Sequence, residues 1–230
     1  IALRRPDPPD TEPPELNPMG DEKNRFGRDG AQNMDRIAKT IFAPVYPVIA
    51  GQILDRCGIT RGQCLDVGSG PGSLGIALAR ASDLSVTLLD SSPDMLVIAE
   101  ENIREAGLSG RFSLLSGDVH DIPLPAGSVD LVVSRGSIFF WEDLTRAFSE
   151  IHRVLAPGGK TCIGGGFGTV ALRDAIETAM AEKNPDWKSF RDKNLGPENR
   201  GRITGVLADL GLPHRIISDD SGFWVVMEMG

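Results

Sequence analysis

Two hydrophobic rhythms alternate along the chain. Aliphatic runs over about 62–67, 85–90, 111–116, 128–134 and 160–164 have the length and side-chain type of buried strands. Between them apolar residues return every three to four positions. Leu74, Ala77, Leu78 and Ala81 mark a helix over 72–81, and a second occupies 93–106. Leu144, Ala147, Phe148, Ile151, Val154 and Leu155 mark a third over 142–155, stopped by Pro157-Gly158-Gly159. Ser92-Pro93-Asp94 reads as cap, first helical residue and first-turn acid. After Gly168 the pattern gives a helix near 169–182, a polar stretch over 183–196, and a helix around 198–210 ended by Gly211 and Pro213. Strands over 214–219 and 223–228 follow, joined by Asp220-Ser221-Gly222 as a hairpin. Strands separated by helices predict an α/β fold with a mostly parallel sheet.

Six of the first 18 residues are proline, mixed with acids and nearly free of large apolar side chains. Such a segment buries too little surface to offset its ordering entropy, so residues 1–33 are expected to be a flexible arm. Met34, Ile37, Ala38 and Ile41 then recur at helical spacing, Pro44 and Pro47 interrupt, and 48–54 resumes as a second helix. Lying before the first strand, residues 34–58 are expected to form a helical cap. Residues 34–230 have the length of a single domain with one three-layer core.

The formal net charge of −8 leaves no basic stripe to displace counterions from a nucleic-acid backbone. Cys57, Cys64 and Cys162 lack C-x-x-C spacing and cannot all pair. They read as reduced, buried thiols of a cytoplasmic protein, with no metal site. No apolar run approaches the roughly 20 residues of a spanning helix, so no membrane partner is expected. Ile1-Ala2-Leu3-Arg4-Arg5 is too short in apolar residues for an export signal.

The most specific pattern is Leu65-Asp66-Val67-Gly68-Ser69-Gly70-Pro71-Gly72, followed by a strand ending in Asp90. Glycine lets the backbone turn tightly and lie against a ligand. An acid ending the next strand can accept both hydroxyls of a ribose. A dinucleotide turn has the spacing G-x-G-x-x-G, whereas here Ser73 stands at the third glycine and Asp66 lies two residues before the first. Acid-x-G-x-G-x-G with its partner acid resembles the class I S-adenosylmethionine (SAM)-dependent methyltransferases. Among them the chain is similar to small-molecule enzymes of the ubiquinone and biotin pathways. The resemblance covers about 34–230. It implies a Rossmann-like three-layer sandwich whose seven-stranded sheet has the order 3-2-1-4-5-7-6, with strand 7 antiparallel.

The same resemblance implies a cofactor site. Asp66, Gly68, Ser69, Gly70 and Gly72 would form the loop, with Asp90 and Ser91 at the ribose and Ser134 at the end of strand four. Gly117, Asp118, Val119 and Met95 would surround the adenine, with loop capping (Asp118) and core packing (Met95) as ordinary alternatives. Tyr46, the sole tyrosine, would reach the methionine moiety from the cap. Arg135, Tyr46 and His120 are the candidates for chemistry; His152 and His214 read as structural. Many relatives carry a histidine or an Asn-Pro-Pro-aromatic run after strand four, but here Phe139 takes the histidine position and neither pattern is present. Phe139-Phe140-Trp141 reads as core, with one or two rings walling the substrate side. Ile163-Gly164-Gly165-Gly166-Phe167-Gly168, capped by Thr169, has bare N–H groups that suit an anion beside Arg135. The plainer alternative is that these glycines let the chain turn or clear a bulky acceptor.

The implied reaction is in-line transfer of the SAM methyl to a nucleophilic atom of a small molecule, mainly through alignment. The methyl acceptor and the oligomeric state are not legible in the sequence. A non-catalytic SAM-binding sensor or partner subunit is the alternative. A nicotinamide-dependent oxidoreductase is opposed by Ser73, Asp66 and the lack of a Tyr-x-x-x-Lys pair.

Overall fold

Two helices precede every strand in the computed structural model, which describes residues 27–230. They are α1 (Arg28–Thr40) and α2 (Val45–Cys57). The alternation then runs β1 (Arg61–Val67), α3 (Ser73–Ala81), β2 (Asp83–Asp90), α4 (Pro93–Glu105), β3 (Phe112–Ser116), β4 (Val129–Arg135), α5 (Leu144–Val154) and β5 (Leu155–Gly165). Next come α6 (Val170–Lys183), α7 (Trp187–Leu195) and α8 (Pro197–Asp209), then the hairpin of β6 (His214–Asp219) and β7 (Gly222–Met227).

The strands form one seven-stranded sheet of order β3-β2-β1-β4-β5-β7-β6, with β7 antiparallel to both neighbours. This is the order and orientation that the resemblance implies. The direction of the winding reverses between β1 and β4, and ligands of open α/β sheets bind at the carboxyl ends beside such a reversal. Strand alternation divides the core in two. Ile49, Ile53, Leu78, Leu88, Ala99, Val133 and Trp224 pack beneath α2, α3 and α4. Leu65, Val132, Phe148, Ile151, Leu207 and Val225 pack beneath α5 and α8. All three cysteines are free and buried. Among the described residues no single helix is long and apolar enough to cross a membrane.

Four local expectations change. Residues 28–33, assigned to the arm, are the first turns of α1; residues 1–26 lie outside the described part. Pro47 does not interrupt a helix, because α2 already starts at Val45 and a first-turn N–H has no intrahelical acceptor to lose. β5 starts at Leu155, with a register shift between Val129 and Leu131 and with Gly158 at φ 76°. Pro157-Gly158-Gly159 is therefore a strand irregularity beyond the helix end. The polar stretch 183–196 contains α7, which a periodicity reading misses because few of its residues are apolar. Its two aromatic rings find partners far away in sequence: Trp187 meets Phe42 edge-on at 5.9 Å, and Phe190 stacks on Phe140 at 6.3 Å.

Candidate active site

At the end of β1 the chain turns through three left-handed residues, Gly68 (φ 63°), Gly70 (φ 53°) and Gly72 (φ 80°), a conformation only glycine takes without steric cost. Their missing side chains serve different ends. A Cβ on Gly68 would lie 2.4 Å from Ser137 Cβ, and one on Gly72 would lie 2.8 Å from Leu88 Cδ1, so both are packed against protein. Gly70 has only Met34 Sδ nearby, at 3.6 Å, and lines a cavity of about 1060 Å³ that opens over the sheet reversal.

Both acids of the motif turn toward this loop. Asp90 accepts from Gly70 N–H at 2.8 Å and from Ser92 N–H at 2.9 Å, one donor per oxygen, and lines the cavity with lone pairs to spare. Burial raises its pKa, and the two backbone donors oppose that rise. Asp66 is buried and accepts from Gly75 N–H at 3.0 Å. Burial lifts its pKa to about 7 against that bond, and the Asp90 charge adds to the rise.

Ser69, Ser91, Met95, Gly117, Asp118, Val119 and His120 continue the wall around Asp90. Met95 is almost wholly buried, so its body is core and only an edge reaches the cavity. Asp118 Oδ1 accepts from His120 N–H at 2.8 Å and meets His120 Nδ1. His120 Nε2 accepts from Asp143 N–H at 3.1 Å. Both ring nitrogens are thus engaged, which leaves His120 no lone pair for taking a substrate proton. Ser134 is fully buried, its hydroxyl against Ser137 Oγ at 2.6 Å. It does not line the cavity, and neither does Gly72; Ser137 does.

The other half of the cavity is aromatic. Phe42, Tyr46, Phe139, Phe140, Trp141, Phe167, Trp187 and Phe190 line it. The Phe139-Phe140-Trp141 run divides its labour: Trp141 is buried edge-on to Phe148 at 6.0 Å, while Phe140 is exposed and reaches Phe190. Burial pushes the Tyr46 phenol up, with the Arg135 guanidinium and the Ser73 hydroxyl pulling the other way. The glycine run at the end of β5 makes room for its neighbour. A Cβ on Gly164 would fall 2.0 Å from Phe223 O and one on Gly166 2.0 Å from Ser221 O, because β7 and its turn pass against them. Gly168 N–H donates to Ser221 O and the Thr169 hydroxyl accepts from Leu172 N–H, so these two N–H groups are already taken.

The family described as "Methyltransferase domain" matches residues 65–163, from β1 to β5. The uncharacterized methyltransferase YdaC of Bacillus subtilis is 34% identical over 177 residues, covering 70% of this chain and 93% of that protein. A crystal structure from Methanococcus maripaludis, of a protein assigned to the SAM-dependent methyltransferases, superposes with a TM-score of 0.88 at 52% identity, over 92% of this chain and 97% of that one. The chain belongs to the SAM-dependent methyltransferases. The 2-methyl-6-phytyl-1,4-hydroquinone methyltransferase of Arabidopsis thaliana is 32% identical over 149 residues, 58% of this chain and 42% of that protein. The match thus spans less than half of that relative.

The residues present fit the methyltransferase cofactor. Asp90 keeps outward acceptors, Gly70 leaves open space above the loop, and Ser69 Oγ has no protein partner among the described residues. Asn102 belongs to no motif, yet its side-chain NH2 donates to Asp35 Oδ1 at 2.7 Å and to Pro71 O at 2.9 Å. That one group ties α1, the glycine loop and α4 together. An asparagine on an otherwise apolar helix face was the signal in the sequence.

Proposed function

We propose that this methyltransferase transfers the SAM methyl to a nucleophilic atom of a small molecule by in-line displacement, acting mainly through alignment. When bound, SAM supplies a methyl group already activated by its sulfonium. Asp90 accepts from the ribose hydroxyls, and Asp118, Val119 and Met95 surround the adenine. Tyr46 reaches the methionine moiety from α2.

The observation that carries this reading is a single cavity that joins the glycine loop and Asp90 to an aromatic compartment. At about 1060 Å³ it reaches the top of the roughly 300–1,000 Å³ range of single-ligand sites, which suits two reactants end to end. Proton-accepting groups are scarce in the aromatic half. His120 is fully engaged, and burial pushes the weakly acidic Tyr46 phenol further up from its ordinary range. An acceptor that arrives already nucleophilic, such as a thiolate, a metalloid, an acidic phenol or a carbon, needs no base. Holding it in line is worth roughly 7–11 kcal/mol in favourable cases. The relatives named for hydroquinone methylation support the phenol or carbon class.

Calorimetry with SAM, S-adenosylhomocysteine (SAH) and NAD, followed by mass-spectrometric detection of SAH in the presence of thiol, phenol and hydroquinone panels, tests the proposal. SAM and SAH are expected to bind, NAD is not, and one acceptor class should release SAH. Tight NAD binding without SAM binding would overturn the reading. SAM binding with no turnover of any class would favour a sensor.

A further inference from the structure

The aromatic half of the cavity holds a cation that no carboxylate among the described residues neutralises. Arg135 ends β4 and lines the cavity. Its guanidinium carbon lies 5.1 Å from the Phe42 ring centroid and 5.4 Å from that of Tyr46. Nε–H and one Nη2–H donate to Gly166 O at 3.1 and 2.9 Å. Among the described residues no acid lies within ion-pairing distance of it. Burial pulls its pKa down, as expected for a charge taken from water without a counter-ion.

Guanidinium carries five N–H groups, and two of Arg135's are used. Those remaining include one Nη1–H and one Nη2–H that point the same way, the parallel pair that matches the two oxygens of a carboxylate. Phe42 and Tyr46 both lie against the guanidinium carbon, so the free N–H pair is the polar edge it has left for a ligand. The compartment continues as aromatic surface, with Phe42 stacked on Phe167 at 6.2 Å and edge-on to Trp187 at 5.9 Å. The other arginines of the cavity are placed differently. Arg191 is paired with Glu177. Arg36 lies on α1, where its Nη2–H donates to Asn33 Oδ1 at 3.0 Å.

We propose that the methyl acceptor is a planar, largely aromatic molecule carrying a carboxylate, which Arg135 grips through its free N–H pair while Phe42, Phe167 and Trp187 enclose the ring. The proposal rests on the methyl-transfer reading, and Arg135 is its specificity residue.

The test uses the full chain saturated with SAH. Calorimetry compares 3,4-dihydroxybenzoate and 3,4-dihydroxycinnamate, each against its primary amide. Each acid is expected to bind at least about tenfold more tightly than its amide, a factor worth about 1.4 kcal/mol. Arg135→Gln should abolish the difference while SAH affinity stays within about twofold. Arg135→Lys should restore part of it, since the charge returns without the fork. Equal binding of acid and amide by the wild type overturns the proposal, as does failure of both acids to bind at millimolar concentration. A loss of SAH affinity in folded Arg135→Gln and Arg135→Lys alike overturns it too, because Arg135 would then hold the cofactor's own carboxylate. Should the variants not fold, the wild-type comparison of acid and amide decides alone. Failure of the wild type to bind SAH at all would instead sink the underlying methyl-transfer reading.

Discussion

At Asp90 two backbone donors take one lone pair on each oxygen and hold the carboxylate against the glycine loop. Asp90→Ala is expected to weaken SAM binding by roughly 2–4 kcal/mol, since charged hydrogen bonds are worth about 1.5–3 kcal/mol each and water replaces part of them. Asp90→Asn should fall between, and calorimetry reads both; unchanged affinity in the alanine variant would place the ribose elsewhere. Asp66 gives a pH signature. Its pKa rises from the ordinary 3.8 to about 7 on burial. Between those values the folded protein holds a proton that the unfolded chain has lost. The contribution of Asp66 to stability is therefore full below about pH 4, falls as pH rises toward 7, and changes no further above that. Asp66→Asn, which cannot ionise, should flatten the fall in denaturant midpoint between about pH 5 and pH 7.5. A slope equal to that of the wild type would show that another group titrates there. Asp66 and Asp90 were both legible in the sequence from their spacing to the glycines. The elevated pKa of Asp66 was not, because it comes from burial beneath α3.

Among the elements, α4 and α7 act on opposite halves of the cavity. Asn102 of α4 anchors α1 and the loop carbonyl of Pro71. Asn102→Ala leaves the buried Pro71 carbonyl without its donor, while Asp35 keeps Lys39 at 3.0 Å; it should cost about 1–3 kcal/mol of stability, with a weaker SAM affinity, both measurable by denaturation and calorimetry. Retained stability would mean that water replaces the amide. Trp187→Ala in α7 removes a ring packed on Phe42 at 5.9 Å. It is expected to raise the acceptor KM several-fold and leave SAM affinity unchanged; the reverse pattern would put α7 on the cofactor side. The α4 start was legible because Ser92 caps it through its own hydroxyl, which accepts from Met95 N–H at 3.3 Å. α7 was not, because its rings are held by Phe42 and Phe140, more than 40 residues away along the chain.

At the scale of the whole molecule, a ligand bound only by the folded state stabilises it by mass action. Saturating SAM at about 100 times its Kd adds about 2.7 kcal/mol, a rise in Tm of roughly 5–11 °C for a domain of this size. NAD at the same concentration should leave Tm unchanged, and an equal shift with NAD would count against the cofactor assignment. The sequence by itself determined the alternation of strands and helices, the turn at Gly68–Gly70–Gly72 and the acid that ends β2, because periodicity, φ > 0 and spacing are local properties of the chain. Only the tertiary structure decided that His120 has no free nitrogen, that Ser134 is buried, and that Gly164 and Gly166 make room for β7. It also decided that Arg135 stands against the Phe42 and Tyr46 rings. Each of these depends on groups brought together by sheet order, and pairings between distant segments leave no periodic trace in the sequence.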